Sequence, residues 1–179
     1  MKNFPATALV LAFAGLGIQP AAAGDIVDEV RLGVSGVVKG DPAHDKGLVG
    51  SAEIYFAPFH SSETGLAKAL LEPRVQVGVS GGADATDQAY LGLNWHVPIT
   101  ETFFAEVGAG GTVHNGNLDS GAGPLLGCRV LFREHAALGM RVTDNVNLMA
   151  TVDHSSHANL CDGPNDGITH AGLSLGVKF

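Results

Sequence analysis

A histidine and a serine stand two residues apart at the end of an alternating apolar stretch, as His154 and Ser156. On a β-strand, residues two apart lie side by side on one face of the sheet. An imidazole beside a hydroxyl can accept its proton and make the serine oxygen a nucleophile. The spacing therefore makes Ser156 a candidate nucleophile and His154 its candidate base. The alternative is that a membrane-spanning strand has passed out of the lipid at this point. Polar residues at the rim of a membrane protein need no chemistry.

The apolar residues before this pair define the strand that would carry it. Val146, Leu148, Ala150 and Val152 share the parity of His154 and Ser156. The same period of two, which a two-faced strand requires, recurs along the rest of the chain. It is found at 30–38, 48–56, 75–79, 91–97, 103–112, 126–142 and in the last strand, where Leu173, Leu175, Val177 and Phe179 share one face. Segments rich in Gly, Asp and Asn, at 40–47, 81–88 and 114–123, are predicted as loops.

The first 23 residues have the pattern of a secretory signal peptide. Lys2 supplies the positive start, residues 6–18 are apolar, and Ala21–Ala23 place small residues at the cleavage positions. We therefore expect a signal peptide at 1–23 and one domain at 24–179, a mature chain of 179 − 23 = 156 residues. Taking Lys2 from the 10 basic residues leaves 9 against 18 acidic ones, a net charge of −9. That balance argues against nucleic acid as a partner.

An even number of amphipathic strands, about eight, predicts an all-β fold: an eight-stranded antiparallel transmembrane β-barrel with no free edge. Polar side chains would fill the narrow interior and apolar ones would face lipid. No apolar run of ~18 residues follows the first segment, which disfavours a transmembrane helix. A soluble β-sandwich shows the same alternation, but an apolar residue at every second position up to a terminal Phe179 favours the outer-membrane barrel.

The height of the histidine and serine follows from that topology. With the N-terminus in the periplasm, the turn Thr143-Asp144-Asn145 lies on the periplasmic side, and the next strand climbs outward. Residues 154–156 then lie ~19 Å above the turn, in the outer half of a ~25 Å apolar band. Ester-bearing lipid would lie against them.

The end of the chain resembles a known family. The segments His154-Ser155-Ser156-His157-Ala158-Asn159-Leu160 and Pro164-Asn165-Asp166-Gly167-Ile168, with the last strand, resemble the C-terminal block of the PagL-type lipid A 3-O-deacylases. The resemblance covers about the last 30 residues well and the strand before them more loosely. It implies an eight-stranded outer-membrane barrel that removes a 3-O-linked acyl chain from lipid A. The alternative is a non-enzymatic structural or porin-like barrel.

The resemblance also implies residue roles. His154 matches the family's general base, Ser156 its nucleophile and Asn165 an asparagine of the oxyanion site. Two positions depart from the pattern: His157 replaces an asparagine, and Thr169 replaces an acid. An imidazole N–H can still donate to an oxyanion, so His157 stays an oxyanion candidate. Thr169 cannot supply the charge that holds a catalytic imidazole, which puts activity in doubt. It stays in the predicted site as a neutral supporting residue.

Strand pairing offers a substitute acid. If Val142 pairs with Val146 across the turn, Glu134 lies opposite His154 and Phe132 opposite Ser156. Glu134 is the one charge on the apolar face of its strand, and a carboxylate at lipid depth is costly unless paired. We therefore predict a Glu134–His154 hydrogen bond. A bulge, or a turn one or two residues different, would instead turn Glu134 away.

The remaining reactive side chains define no further site. Cys128 and Cys161 either pair as a disulfide or stay as free thiols. His157 and His170, with Cys161 and Asp162 nearby, suggest a metal. His154 and His157, however, stand three apart, and imidazoles at that spacing on a strand point to opposite faces and do not bind one ion together. We therefore predict no metal and no cofactor. The expected partners are lipid A or lipopolysaccharide and outer-membrane lipid, and formation of a homodimer stays open.

Overall fold

Eight antiparallel strands close into a barrel in the computed structural model, which describes residues 26–38 and 45–179. The strands are β1 Val27–Val37, β2 Leu48–Phe56, β3 Arg74–Gly82, β4 Ala85–Pro98, β5 Phe103–His114, β6 Val130–Arg141, β7 Val146–Ser156 and β8 Ile168–Lys178. Each strand pairs with the next, and β1 pairs with β8. The fold class predicted from the sequence is confirmed. The predicted signal segment and residues 40–44 of the first predicted loop lie outside the described residues.

The wall of the barrel has two chemically different faces because side chains alternate along every strand. Apolar side chains cover the outer face, and Leu173 and Leu175 of β8 are 55% and 45% exposed. The inner face is polar. Glu29, Arg31 and Glu106 are each 1% exposed, although they carry charge. The predicted distribution, with polar residues inside and apolar residues outside, is therefore confirmed.

Ion pairs occupy the interior of the barrel. The Arg31 guanidinium donates two hydrogen bonds to the Glu29 carboxylate, at 2.9 and 2.8 Å, and two to Glu106, at 2.7 and 2.8 Å. Arg74 donates to Glu106 at 2.6 Å and to Glu29 at 2.9 Å. Two-pronged arginine–carboxylate pairs are strong and fix geometry. The core of this protein is therefore a polar network enclosed by a sheet.

Three segments differ from the sequence predictions. Leu126 does not belong to β6: it is 0% exposed in the preceding loop, where it packs with Leu131 and Ile168. The left-handed backbone of Gly127, φ +65°, interrupts the alternation that the sequence suggested. The predicted loop at 81–88 is a tight turn, because β3 and β4 extend to Gly82 and from Ala85.

The third difference is a short helix, α1 Gly65–Leu71, between β2 and β3. Its Ala, Leu and Lys residues favour helix locally, but the segment is too short to show a clear helical period. Beside it, the Glu72 carboxylate accepts the backbone N–H of Ser61 at 2.8 Å, which lowers the pKa of Glu72. No helix among residues 26–38 and 45–179 is long and apolar enough to span a membrane.

Candidate active site

The His154–Ser156 pair lies at the last residues of β7, at the end of the barrel opposite the start of β1 and the end of β8. We call this end the outer end. Across β6 and β7, Glu134 pairs with His154 and Phe132 with Ser156. The turn between these strands closes with a hydrogen bond from Val142 N to Val146 O at 2.8 Å. The predicted register is therefore confirmed.

The His154 ring is held by the neighbouring strand on its other side. Thr169 of β8 pairs with His154, and Thr169 Oγ1 lies 2.8 Å from His154 Nδ1. Both side chains are partly exposed on the outer wall. When the Nδ1–H donates to the threonine oxygen, Nε2 keeps its lone pair and can accept a proton. Thr169 thus orients the His154 ring, and the contact is compatible with the tautomer that a general base requires.

Ser156 has the same parity as His154 and is also partly exposed. Within the described part of the chain, its hydroxyl makes no hydrogen bond to His154. Bonds between a nucleophile and its base are often loose without substrate and tighten when the substrate binds. The two residues are therefore neighbours on one face, with the hydroxyl free to rotate.

Glu134 does not make the predicted hydrogen bond with His154. It lies on the outer wall and is exposed, and it forms no hydrogen bond or ion pair among residues 26–38 and 45–179. His154 has a possible hydrogen-bond partner on each flanking strand, Glu134 on β6 and Thr169 on β8. Its ring contacts Thr169. The register of Glu134 was predicted correctly, but its predicted contact was wrong.

His157 is turned away from the outer wall. Its side chain is buried, with the residue 2% exposed, and both ring nitrogens are occupied. Nε2 donates to Pro164 O at 3.1 Å, while Nδ1 accepts the Cys161 N–H at 3.4 Å. In this conformation the ring has no N–H left for an oxyanion. The structure therefore contradicts that predicted role, because His157 serves as an internal support of its loop.

Asn165, the second predicted oxyanion residue, lies in the same loop. Its Oδ1 accepts the backbone N–H of His157 at 3.2 Å, and its Nδ2 donates to Asn159 Oδ1 at 3.2 Å. The amide carries two N–H groups, so one remains for a ligand. The side chain is partly exposed. Asn165 thus joins the two sides of the loop that begins at Ser156.

A disulfide joins Cys128, before β6, to Cys161, in the loop between β7 and β8. His157 lies beside it, and ligand atoms of the three residues are within 4.8 Å of one another. Because the two sulfurs are bonded to each other, neither is a thiolate that could bind a metal. His170, the other histidine considered for a metal, lies inside the barrel with Nδ1 3.4 Å from Asp153 Oδ1. His170 is not among the side chains whose ligand atoms cluster with those of His157 in the described part of the chain.

Two features of the site are absent from the sequence predictions. Thr169 was predicted as a neutral supporting residue in place of an acid, but its hydrogen bond to His154 was not predicted, although a hydroxyl opposite a histidine in register can accept its N–H. Gly167, next to β8, lies against the His154 ring. A glycine directly before an alternating strand was the available signal, but only the loop conformation brings the two together.

The comparisons with known proteins agree with this geometry. The sequence profile of the family described as Lipid A 3-O-deacylase (PagL) matches residues 71–178, more than half of the chain. The crystal structure of the outer membrane enzyme PagL is similar, with TM-score 0.63 and 17% identity over 84% of this chain and 99% of that chain. No protein with curated function matches the sequence.

Two further solved structures have the same fold. The N-terminal β-barrel domain of Pseudomonas aeruginosa OprF is similar with TM-score 0.51 and 16% identity, over 86% of this chain and 99% of that chain. A designed transmembrane β-barrel is similar with TM-score 0.53 and 10% identity, over 87% of this chain and 96% of that chain. At these identities the likeness concerns the fold.

A closed barrel of eight strands, apolar outside and polar inside, with His154 and Ser156 on its outer wall, defines an outer-membrane β-barrel protein. The chain belongs to the PagL family.

Proposed function

We propose that this protein hydrolyses an ester-linked acyl chain of lipid A in the outer membrane, with Ser156 as nucleophile and His154 as general base. The position of the ester, 3-O, is proposed from the family described as lipid A 3-O-deacylase. The substrate is lipid A or lipopolysaccharide, and the surrounding partner is outer-membrane lipid. The reaction needs water and no cofactor.

One observation carries this proposal: a histidine whose ring is oriented by a hydrogen bond lies beside a serine on the lipid-facing wall. His154 Nδ1 is 2.8 Å from Thr169 Oγ1, and Ser156 is two residues further along the same face. A soluble substrate would need a pocket or cleft. A lipid ester reaches an outer wall directly, because the membrane presents it there.

The chemistry follows from these two side chains. Ser156 Oγ attacks the ester carbonyl while its proton passes to His154 Nε2. The tetrahedral intermediate then collapses, and the sugar oxygen leaves with that proton from the imidazolium. Water next attacks the acyl-serine, with His154 again taking the proton, and free fatty acid is released. When this second intermediate collapses, Ser156 Oγ leaves with the proton from the imidazolium, so the serine hydroxyl and the neutral His154 are both restored and the cycle closes.

The oxyanion formed in the first step needs donors nearby. We propose Asn165 as one, through the Nδ2 N–H that does not bond Asn159. This role requires the β7–β8 loop to keep its shape, which the Cys128–Cys161 disulfide and the buried His157 ring support. His157 is therefore proposed as a structural residue of the oxyanion loop.

Because Thr169 stands where the family has an acid, we expect a reduced rate of hydrolysis. Thr169 can orient the imidazole, but a neutral hydroxyl does not stabilise the imidazolium as a carboxylate would. Glu134, one strand away on the other side, adds negative charge to the same surface through space. We propose Glu134 as an electrostatic residue and expect slower turnover than an acid at Thr169 would give.

Mass spectrometry of lipid A tests the proposal. Cells that make the wild-type protein should lose one ester-linked chain from lipid A, and cells that make Ser156→Ala or His154→Ala should retain it. Both variants should still fold, since neither side chain packs in the interior. Ser155→Ala is the matched control: its hydroxyl is inside the barrel, where it donates to Gln88 Oε1 at 3.0 Å, so activity should persist. Unchanged lipid A with abundant folded wild-type protein would favour the non-enzymatic barrel.

A further inference from the structure

Gly167 lies directly against the candidate base. It is buried, it precedes β8, and its backbone is left-handed with φ +67°. Ser155 pairs with Ile168, so the next residues along the two strands are Ser156 and Gly167. The His154 ring therefore extends from its own position toward the level of Ser156, and it passes across the backbone of Gly167.

The fit leaves no room for a side chain at Gly167. A Cβ built there would lie 2.9 Å from His154 Cε1, 3.3 Å from Ser155 O and 3.4 Å from His154 Nε2. The first distance is shorter than a carbon–carbon contact of about 3.5–4.0 Å. The imidazole is the movable partner in this clash, so any added carbon would displace the ring rather than the strand.

We propose that Gly167 is a positioning residue, which holds the space that the His154 imidazole needs to reach both Thr169 and Ser156. This inference rests on the proposed function of His154 and Ser156. Displacing the ring would lengthen the 2.8 Å contact with Thr169 Oγ1 and move Nε2 relative to the serine. A misplacement of about 1 Å in a reacting group can cost roughly 100-fold in rate.

Glycine could also be required for its left-handed backbone alone, and substitutions can separate these two reasons. Asparagine tolerates the left-handed region far better than alanine, but its Cβ meets the ring in the same way. Gly167→Asn should therefore relieve the backbone strain and keep the steric clash. Gly163, in the same loop, has φ +108°, and a Cβ there would meet Gly127 Cα at 3.6 Å, an ordinary contact. Gly163→Ala is thus the matched control for strain in this loop.

The experiment compares wild type, Gly167→Ala, Gly167→Asn and Gly163→Ala in detergent micelles. We expect kcat for lipid A deacylation to fall roughly 100-fold in both Gly167 variants with KM little changed, and Gly163→Ala to stay near wild type. Heat-modifiable migration in gels checks that each barrel is folded. Side-chain ¹⁵N NMR of His154 reports the tautomer and the Nδ1–Thr169 hydrogen bond, which the Gly167 variants should lose.

The outcomes separate positioning from function. Full activity in Gly167→Asn with low activity in Gly167→Ala would assign the requirement to the backbone and overturn the steric role. An equal loss in Gly163→Ala would overturn it too, because loop strain would then suffice. If wild type has no activity, the proposed function fails. The NMR spectra then decide on Gly167: a His154 hydrogen bond lost only in the Gly167 variants supports positioning, and an unchanged signal refutes it.

Discussion

At the scale of single residues, Thr169 is the side chain that contacts the proposed base, His154. Its hydroxyl lies at hydrogen-bond distance, 2.8 Å, from His154 Nδ1 and so orients the ring, but it contributes no charge. A hydrogen bond of this kind contributes about 0.5–1.5 kcal/mol. The charge that a carboxylate supplies to an imidazolium is worth more in a site with little water.

Thr169→Val removes the hydroxyl and keeps the shape, so we expect turnover to fall by roughly tenfold, about 1.4 kcal/mol. Thr169→Ser keeps the hydroxyl and is the control, with activity within a few-fold of wild type. The measurement is the initial rate of fatty acid release from purified lipopolysaccharide. A Thr169→Val protein as active as Thr169→Ser would mean that the hydrogen bond does not orient the base.

The proposed effect of Glu134 on the same ring acts only through space. We expect Glu134→Gln to lower turnover roughly threefold to tenfold, about 0.7–1.4 kcal/mol, since no hydrogen bond to His154 is lost. Thr169→Glu should more than offset that loss in the double variant, because it restores a charge at the strand that already contacts Nδ1. A loss of several orders of magnitude in Glu134→Gln would instead mean that the carboxylate reaches His154 during the reaction.

At the scale of elements, the pairing of strands was easier to predict than the hydrogen-bond partner of a given side chain. The period of two indicated the faces of β7 and β8, and one turn, Thr143 to Asn145, was enough to align Glu134 with His154. Register is a property of the backbone and follows from turn length. Which of two flanking strands a ring contacts depends on χ angles and local space, and the sequence pattern contains neither.

Loops were predicted less well for a related reason. Leu126 has the same parity as the apolar residues of β6, but Gly127 and Cys128 belong to the loop before β6. The position of that loop is determined by contacts with distant segments, among them the disulfide from Cys128. Leu125 N donates to Asp166 Oδ2 at 2.8 Å, and Asp166 N donates to Leu125 O at 3.1 Å. These contacts join segments about 40 residues apart. Local alternation carries no information on them.

The Cys128–Cys161 disulfide should keep the outer-end loops together. Its sequence separation is 33 residues, for which the chain-entropy relation gives about 3–4 kcal/mol. We expect Cys128→Ser with Cys161→Ser, or reduction by dithiothreitol, to increase trypsin cleavage after the exposed Arg129 by roughly tenfold or more. Lys46, in a different loop, is the internal control and should be cut at an unchanged rate. Equal cleavage at Arg129 in both redox states would show that the loop contacts hold without the covalent bond.

At the scale of the whole molecule, the barrel combines a lipid-facing shell with an ionic interior. The hydrophobic effect, which usually stabilises a protein core, acts here mainly between the outer wall and the membrane. Inside, charged groups are removed from water and depend on one another. Glu106 accepts from Arg31 and Arg74, and His96 Nδ1 lies 2.9 Å from its Oε1. It therefore connects β1, β3, β4 and β5 at one point.

Breaking a buried ionic network by removing one partner leaves the other charges uncompensated, at a cost of about 3–5 kcal/mol. We expect Glu106→Gln to lower the free energy of unfolding by about that amount, because the amide keeps the shape but leaves the charges of Arg31 and Arg74 less balanced. Urea unfolding in micelles, followed by the fluorescence of Trp95, the single tryptophan, gives the measurement. Glu101→Gln, at an exposed turn, is the matched charge control and should unfold at the wild-type midpoint. Equal midpoints for Glu106→Gln and wild type would mean that the network balances its charge without Glu106, and that closure of the sheet and burial in lipid alone determine the stability of the barrel.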